Sequence, residues 1–202
     1  VQTKQGSERI ARSAFEFARK NGKKNVTIVT KGNIVKLADG NFIKSVRKVG
    51  EEYPDIEIQE RLVDAMSAKM MDPEFNKGIE VIVLPNLYGD IVTDVAAEHQ
   101  GGLGTASSSN IGNKYAMFEA IHGTAPFLMD NGRGEYADPC SLIRAVGMML
   151  AHIGYADRKE ILDQALDICT LTEKKVVVTT FKEGASAAEF TDYLIDTIHQ
   201  VK

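Results

Sequence analysis

The run Val81-Ile82-Val83-Leu84, inside the strand-length segment Ile79 to Leu84, constrains the fold of this 202-residue chain more than any other stretch. An uninterrupted apolar run of this kind reads as a strand buried on both faces, which requires helices on either side of a largely parallel sheet. The chain then turns through Pro85-Asn86-Leu87-Tyr88-Gly89 and delivers two carboxylates, Asp90 and Asp94, four residues apart. On a helix that spacing puts their Cβ atoms roughly 5–6 Å apart on one face, where like charges repel unless a cation lies between them. A divalent cation satisfies the pair; the alternative is that Asp90 caps the start of the helix and Asp94 is solvated.

The remaining segments alternate between helix and strand. Ser7 to Asn21 reads as a helix with Ile10, Ala14, Phe17 and Ala18 on its apolar face, followed by a strand over Val26 to Val29. A polar turn, Thr30 to Asn33, leads to a helix expected over Ile34 to Glu52, with Ile34, Leu37, Phe42, Val46 and Val49 apolar, and Pro54 breaks it. Ile56 to Ile58 is β-like, Arg61 to Met71 and Asp90 to His99 are helical, and GGLGTASSSNIGN from Gly101 is too rich in Gly, Ser and Asn for a helix or central strand. That change of composition divides the chain into domains 1–100 and 101–202. Beyond it, Phe118 to Pro126 is loop-rich, Ser141 to Gly154, Arg158 to Thr170 and Ala187 to Val201 read as helices, and Val176 to Thr180 reads as a strand. The pattern is α/β.

A net charge of -4 and a pI near 5.6, with no basic block, exclude a nucleic-acid or anionic-membrane partner. No apolar run approaches the roughly 18–20 residues that span a bilayer. The two cysteines, Cys140 and Cys169, lack the short spacing of a zinc or redox site. Buried thiols in a reducing, cytoplasmic setting are expected.

Four further features could carry chemistry. Asp64, flanked by Val63 and Ala65, is costly to bury unless paired or metal-bound; the plainer reading is a surface aspartate beside Lys69 or Arg61. With Asp90 and Asp94 it would give a hard-oxygen set suited to magnesium or manganese. Lys31 lies in a strand-to-helix turn, where side chains point to the end of a sheet, although a loop lysine is ordinarily solvated. GGLGTASSSNIG could cradle phosphates without matching a P-loop. Glu119-Ala-Ile-His-Gly-Thr-Ala-Pro126 places an imidazole among small residues, where it could stack on an adenine or serve only the structure.

Taken in order, GSERIARSAFEFARKNGKKNVTIVTKGNIVKLADGNF, VDAMSAKMM, NLYGDIVTD, GGLGTASSSNIG, FEAIHGTAP and EFTDYL resemble blocks of the isocitrate/isopropylmalate dehydrogenases, the metal-dependent β-decarboxylating dehydrogenases. The resemblance implies a three-layer α/β fold with a mixed sheet and flanking helices, lacking the family's N-terminal half. In it, 1–100 is the small domain's part, with dimerisation, lysine and metal, and 101–202 is the C-terminal part of the large dinucleotide-binding domain. It makes Lys31 the catalytic lysine and Asp64, Asp90 and Asp94 the ligands of magnesium or manganese. Asn33 then neighbours the nicotinamide, and Gly104, Glu119, His122, Gly123, Thr124, Ala125 and Asp138 line the dinucleotide.

The implied reaction oxidises a 2-hydroxy tricarboxylate by hydride transfer and releases carbon dioxide, at sites shared across a homodimer. Met66, Met70, Ala96 and Ala97 are then expected to pack at the dimer interface. TKGNIVKLADGNF is closer to the isocitrate type than to the isopropylmalate type. Phe127 stands where NAD-dependent members commonly carry Asp, yet the Tyr and Arg that read the NADP phosphate have no counterpart around Val176 to Gly184, so NAD is expected over NADP. The family's upstream serine- and arginine-containing loop and its tyrosine are absent, so the chain alone is expected to be inactive. The alternatives are a 3-isopropylmalate or homoisocitrate dehydrogenase fragment, or a non-catalytic dimerising or regulatory module.

Overall fold

Six consecutive residues, Asn25–Thr30 (β1), have every side chain buried, and the elements around them are arranged to cover both faces. A computed structural model describes residues 2–99 and 101–201, and in it the chain forms two compact units, Val1–His99 and Gln100–Lys202.

In the first unit, Thr3 accepts the Gly6 N–H at 3.1 Å and so starts α1 (Lys4–Lys20) one turn before the expected Ser7. The buried stripe is Ser7, Ala11, Ala14, Phe15 and Ala18. The expectation that Ile10 and Phe17 face the core is therefore corrected, since both are exposed. Small residues let the helix approach the sheet closely while Phe15 fills the remaining space, stacked on Tyr53 with centroids 5.0 Å apart.

After β1 come α2 (Ala38–Gly50), β2 (Glu57–Leu62), α3 (Val63–Lys69), α4 (Pro73–Asn76), β3 (Val81–Val83) and α5 (Asn86–His99). The sheet order is β2-β1-β3, parallel at both junctions. Side chains alternate along a strand, so β1 splits its residues between two cores. Val26 and Ile28 join Phe15, Phe42, Val46, Val81 and Val83 under α1 and α2, while Val29 joins Met66, Met70 and Val92 under α3 and α5. The result is three layers, helix, sheet, helix.

This packing corrects two expectations. Met66, Met70 and Ala97 are buried within their own unit rather than held for a dimer interface. The helix expected from Ile34 starts only at Ala38, leaving Ile34 at 69% and Leu37 at 85% exposure. The Lys31 carbonyl accepts the N–H groups of Ile34 and Val35, both at 2.9 Å, and this tight turn takes the place of the first helical turn.

The second unit carries an antiparallel pair, β4 (Ser107–Ile111) and β5 (Ala116–Ala120), in the register Ser109↔Phe118. Then follow α6 (Pro126–Asp130), a 3₁₀ turn at Gly134–Tyr136, α7 (Cys140–His152), α8 (Ala156–Asp167) running into a π-helical turn Ile168–Glu173, and α9 (Ala187–Val201). Cys140, Ala165, Leu166, Cys169, Phe190 and Leu194 form its core.

The glycine- and serine-rich stretch does therefore contain a strand, because a two-stranded pair leaves its serines half-buried and asks little of their packing. Val176 to Thr180 is not one. Among the described residues no strand pairs with it, and Val176 and Val178 pack instead against the helical core, with Thr180 at φ 63° ending the run. Among the described residues no helix is long and apolar enough to cross a membrane.

Candidate functional site

Parallel strands deliver their following residues to one edge of the sheet, the edge where α/β proteins place their ligands. The pairing Thr30↔Leu62 carries Lys31 and the start of α3 to that edge together, and Lys31 Nζ lies 2.7 Å from Asp64 Oδ1. Lys31 therefore takes the place of the Arg61 or Lys69 partner considered from the sequence. The hydrogen bond from Lys31, followed by one from the backbone, holds the Asp64 carboxyl below its usual range.

The backbone beneath Lys31 is fixed as well. Its N–H donates to Asp39 Oδ2 at 2.8 Å, from a carboxylate only 2% exposed in the first turn of α2. Burial, and then the influence of the Asp39 carboxylate, push the Tyr88 phenol pKa above its ordinary value. Asn33 sits in the same turn and is exposed.

The third strand of the sheet runs into α5. Its first turn is Asn86 to Gly89, so Asp90 and Asp94 lie inside the helix on successive turns, and the reading of Asp90 as a cap is corrected. Both are exposed, and no side-chain hydrogen bond or ion pair among the described residues engages either carboxylate. Two hard oxygen donors on one helix face, with no protein cation against them, fit magnesium or manganese. Asp64 is not brought to them. Among the described residues no group of three or more acidic, histidine or cysteine side chains could hold a metal.

In the second unit Gly104 and the run His122 to Ala125, expected to line a dinucleotide, fall on two loops tied by one side chain. Ser141, fully buried near the start of α7, accepts the Ile121 N–H at 3.3 Å and donates to the Ala106 carbonyl, while its own N–H donates to the Gly104 carbonyl at 2.7 Å. A Cβ at Gly104 would lie 3.0 Å from Asp138 Cβ, so the loop needs glycine for this approach. Asp138 Oδ1 accepts the Cys140 N–H at 2.8 Å and so closes the start of α7.

Beyond Ile121, the His122 Nδ1–H donates to the Gly123 carbonyl at 2.8 Å. Gly123 and Thr124 are exposed, and Ala125 holds a left-handed conformation immediately before α6. Glu119 does not join this group through its carboxylate, which accepts from Asn110 Nδ2 at 2.7 Å across the hairpin. A cavity of about 510 Å³ adjoins Asp138 and is lined also by Arg144, Cys169, Val177 and Cys140, whose thiol pKa is pushed up by burial and by Asp138. Its size suits a cofactor-sized ligand.

Asp39 and Ser141 were not legible in the sequence as site residues. A first-turn aspartate and a helix-start serine are ordinary there, and only the folded contacts distinguish them.

A model of the isocitrate/isopropylmalate dehydrogenase family matches residues 1–194. The chain is 43% identical over 198 residues to a regulatory subunit of the mitochondrial isocitrate dehydrogenase (NAD) of Dictyostelium discoideum, covering 97% of this chain and 54% of that protein. It is 45% identical over 161 residues to isocitrate dehydrogenase (NADP) of Rickettsia felis, covering 79% of this chain and 32% of that one. The crystal structure of isocitrate dehydrogenase from Methylococcus capsulatus matches with a TM-score of 0.91 and 38% identity over 99% of this chain and 58% of that chain. The chain thus spans about half the length of the first of these relatives.

Proposed function

Because the chain belongs to the isocitrate/isopropylmalate dehydrogenase family, we propose that it is part of an NAD-dependent isocitrate dehydrogenase that yields 2-oxoglutarate and carbon dioxide with magnesium or manganese. The observation that carries this reading is the shared edge: Lys31 paired with Asp64 after β1 and β2, and the exposed Asp90 and Asp94 on the helix after β3.

In this reading Asp64, Asp90 and Asp94 would hold the cation through carboxylate oxygens. When bound, the cation polarises the substrate's hydroxyl and carbonyl oxygens and the nicotinamide accepts the hydride. Lys31 Nζ moves the proton of the reacting oxygen or carbon, steadied by a backbone held at Asp39. Asn33 is assigned to the nicotinamide side. Gly104, His122, Gly123, Thr124, Ala125 and Asp138 are assigned to the dinucleotide, with Glu119 acting through its place on β5.

One copy leaves Asp64 apart from Asp90 and Asp94, so a homodimer is proposed in which Lys31 and Asp64 of one copy face Asp90 and Asp94 of the other. The exposed Leu87 and Ile91 beside Asp90 would be covered in that assembly. The part played by 1–100 in dimerisation and metal binding, and by 101–202 in dinucleotide binding, belongs to the same proposal. So does a cytoplasmic location, which suits the two free thiols. NAD is favoured over NADP by the absent phosphate-reading Tyr and Arg.

The test is calorimetric titration of manganese into the protein with isocitrate present. Saturable binding that Asp90→Asn weakens at least tenfold is expected. Equal affinity in the variant would remove the aspartate pair from the site.

A further inference from the structure

Asp39 has a use that helix formation does not explain. A buried carboxylate is costly unless its charge is met by hydrogen bonds, and a first-turn aspartate normally meets that need on the free N–H groups of its own helix. Asp39 turns away from them. Its Oδ2 accepts the N–H of Lys31, eight residues earlier and outside α2, at 2.8 Å, and α2 begins with no side-chain cap at Leu37.

The contact completes a clamp on one residue. Lys31 is held at its N–H by Asp39 and at its carbonyl by the N–H groups of Ile34 and Val35, both at 2.9 Å. Only its side chain is free to move, and that side chain reaches Asp64. Asp39 therefore sits at the start of α2 against the turn that follows β1, its carboxylate engaged by that turn and not by its own helix.

We propose that Asp39 is a positioning residue for the reaction, holding the Lys31 turn in place through one buried carboxylate. It touches neither substrate nor cofactor and acts through Lys31. The proposal rests on the isocitrate dehydrogenase reading for its chemical meaning, while the contact itself can be tested without turnover.

The first readout is amide hydrogen exchange by NMR on the purified chain. Asp39→Asn, which keeps the shape and removes the charge, is expected to speed exchange at the Lys31 amide at least tenfold while Val26 and Ile28 in the preceding strand stay within twofold. Asp39→Glu should restore part of the protection. Unchanged exchange at Lys31, or equal acceleration along all of β1, would overturn the proposal. If Asp39→Asn does not fold, Asp39→Glu, which keeps the charge and displaces the carboxylate by one methylene, should still speed Lys31 exchange at least threefold over the parent, and no change there would overturn the proposal.

The second readout is steady-state kinetics in a preparation that turns over isocitrate. Asp39→Asn should lower kcat at least tenfold with KM within twofold, and Asp39→Glu should recover part of the loss. An unchanged kcat would overturn the role in the reaction. Absence of turnover in every wild-type preparation would count against the isocitrate reading alone, since the exchange result would still decide whether Asp39 holds Lys31.

Discussion

Ser141→Ala should loosen both loops assigned to the dinucleotide at a cost that can be worked from its contacts. The side chain is fully buried and its hydroxyl serves two backbone groups, the Ala106 carbonyl and the Ile121 N–H at 3.3 Å. Removing it leaves both without that partner, and an unsatisfied buried backbone group costs about 1–3 kcal/mol. The bond to Ile121 is long and both Ala106 and Ile121 are only half-buried, so the low end, about 1 kcal/mol, applies to each and the sum is about 2 kcal/mol. That is a ~30-fold fall in the folded-to-unfolded ratio of the unit. The chain has no tryptophan, so urea unfolding is best followed by circular dichroism, with amide exchange at Ile121 reporting the local effect. Leu142→Ala, the exposed neighbour, is the control and should stay within about 0.5 kcal/mol. A loss at Ser141 no larger than the control would refute the view that one hydroxyl ties these loops.

Two further outcomes are expected. Lys31→Met should let the Asp64 carboxyl rise toward its ordinary value of 3.8, read by carboxyl-carbon NMR titration. Because the folded value is the lower one, the pair's contribution is present above the unfolded value and disappears as pH falls through the folded one, so variant and parent should converge in acid; an unshifted titration would show that the pair does not form in solution. Thr180→Gly should stabilise the second unit by about 1 kcal/mol, since a β-branched residue at φ 63° is strained and its carbonyl contact with Arg133 survives the change; a lower urea midpoint would contradict this.

Some of this arrangement could be read from residues alone, and the reasons are specific. The helix Ala187–Val201 has the bounds its periodicity implies, because one apolar face packs on a local core. The strand β1 and the turn carrying Lys31 followed from an apolar run meeting Gly32 and Asn33. Val176 to Thr180 failed as a strand because β preference expresses a partner's presence, and among the described residues none pairs with it. Ile34 and Leu37 misled because apolar residues on a helical period need not be buried. The Lys31–Asp64 pair could not be read from spacing, as the residues are joined only through the register Thr30↔Leu62. Asp39 was hidden because nothing local says that a helix-start carboxylate will fold back onto the preceding strand.

The burial of all six side chains of β1 has a consequence for any ligand that reaches Lys31. Fixing one residue's backbone costs about 1–2 kcal/mol of conformational entropy, and at the end of this strand that loss belongs to folding and not to binding. A ligand there meets a mount already stiff, so its affinity reflects the contacts it makes and little ordering of the chain. A substitution deep in β1, far from any ligating atom, would then weaken binding through entropy by returning freedom to the residue that receives the ligand.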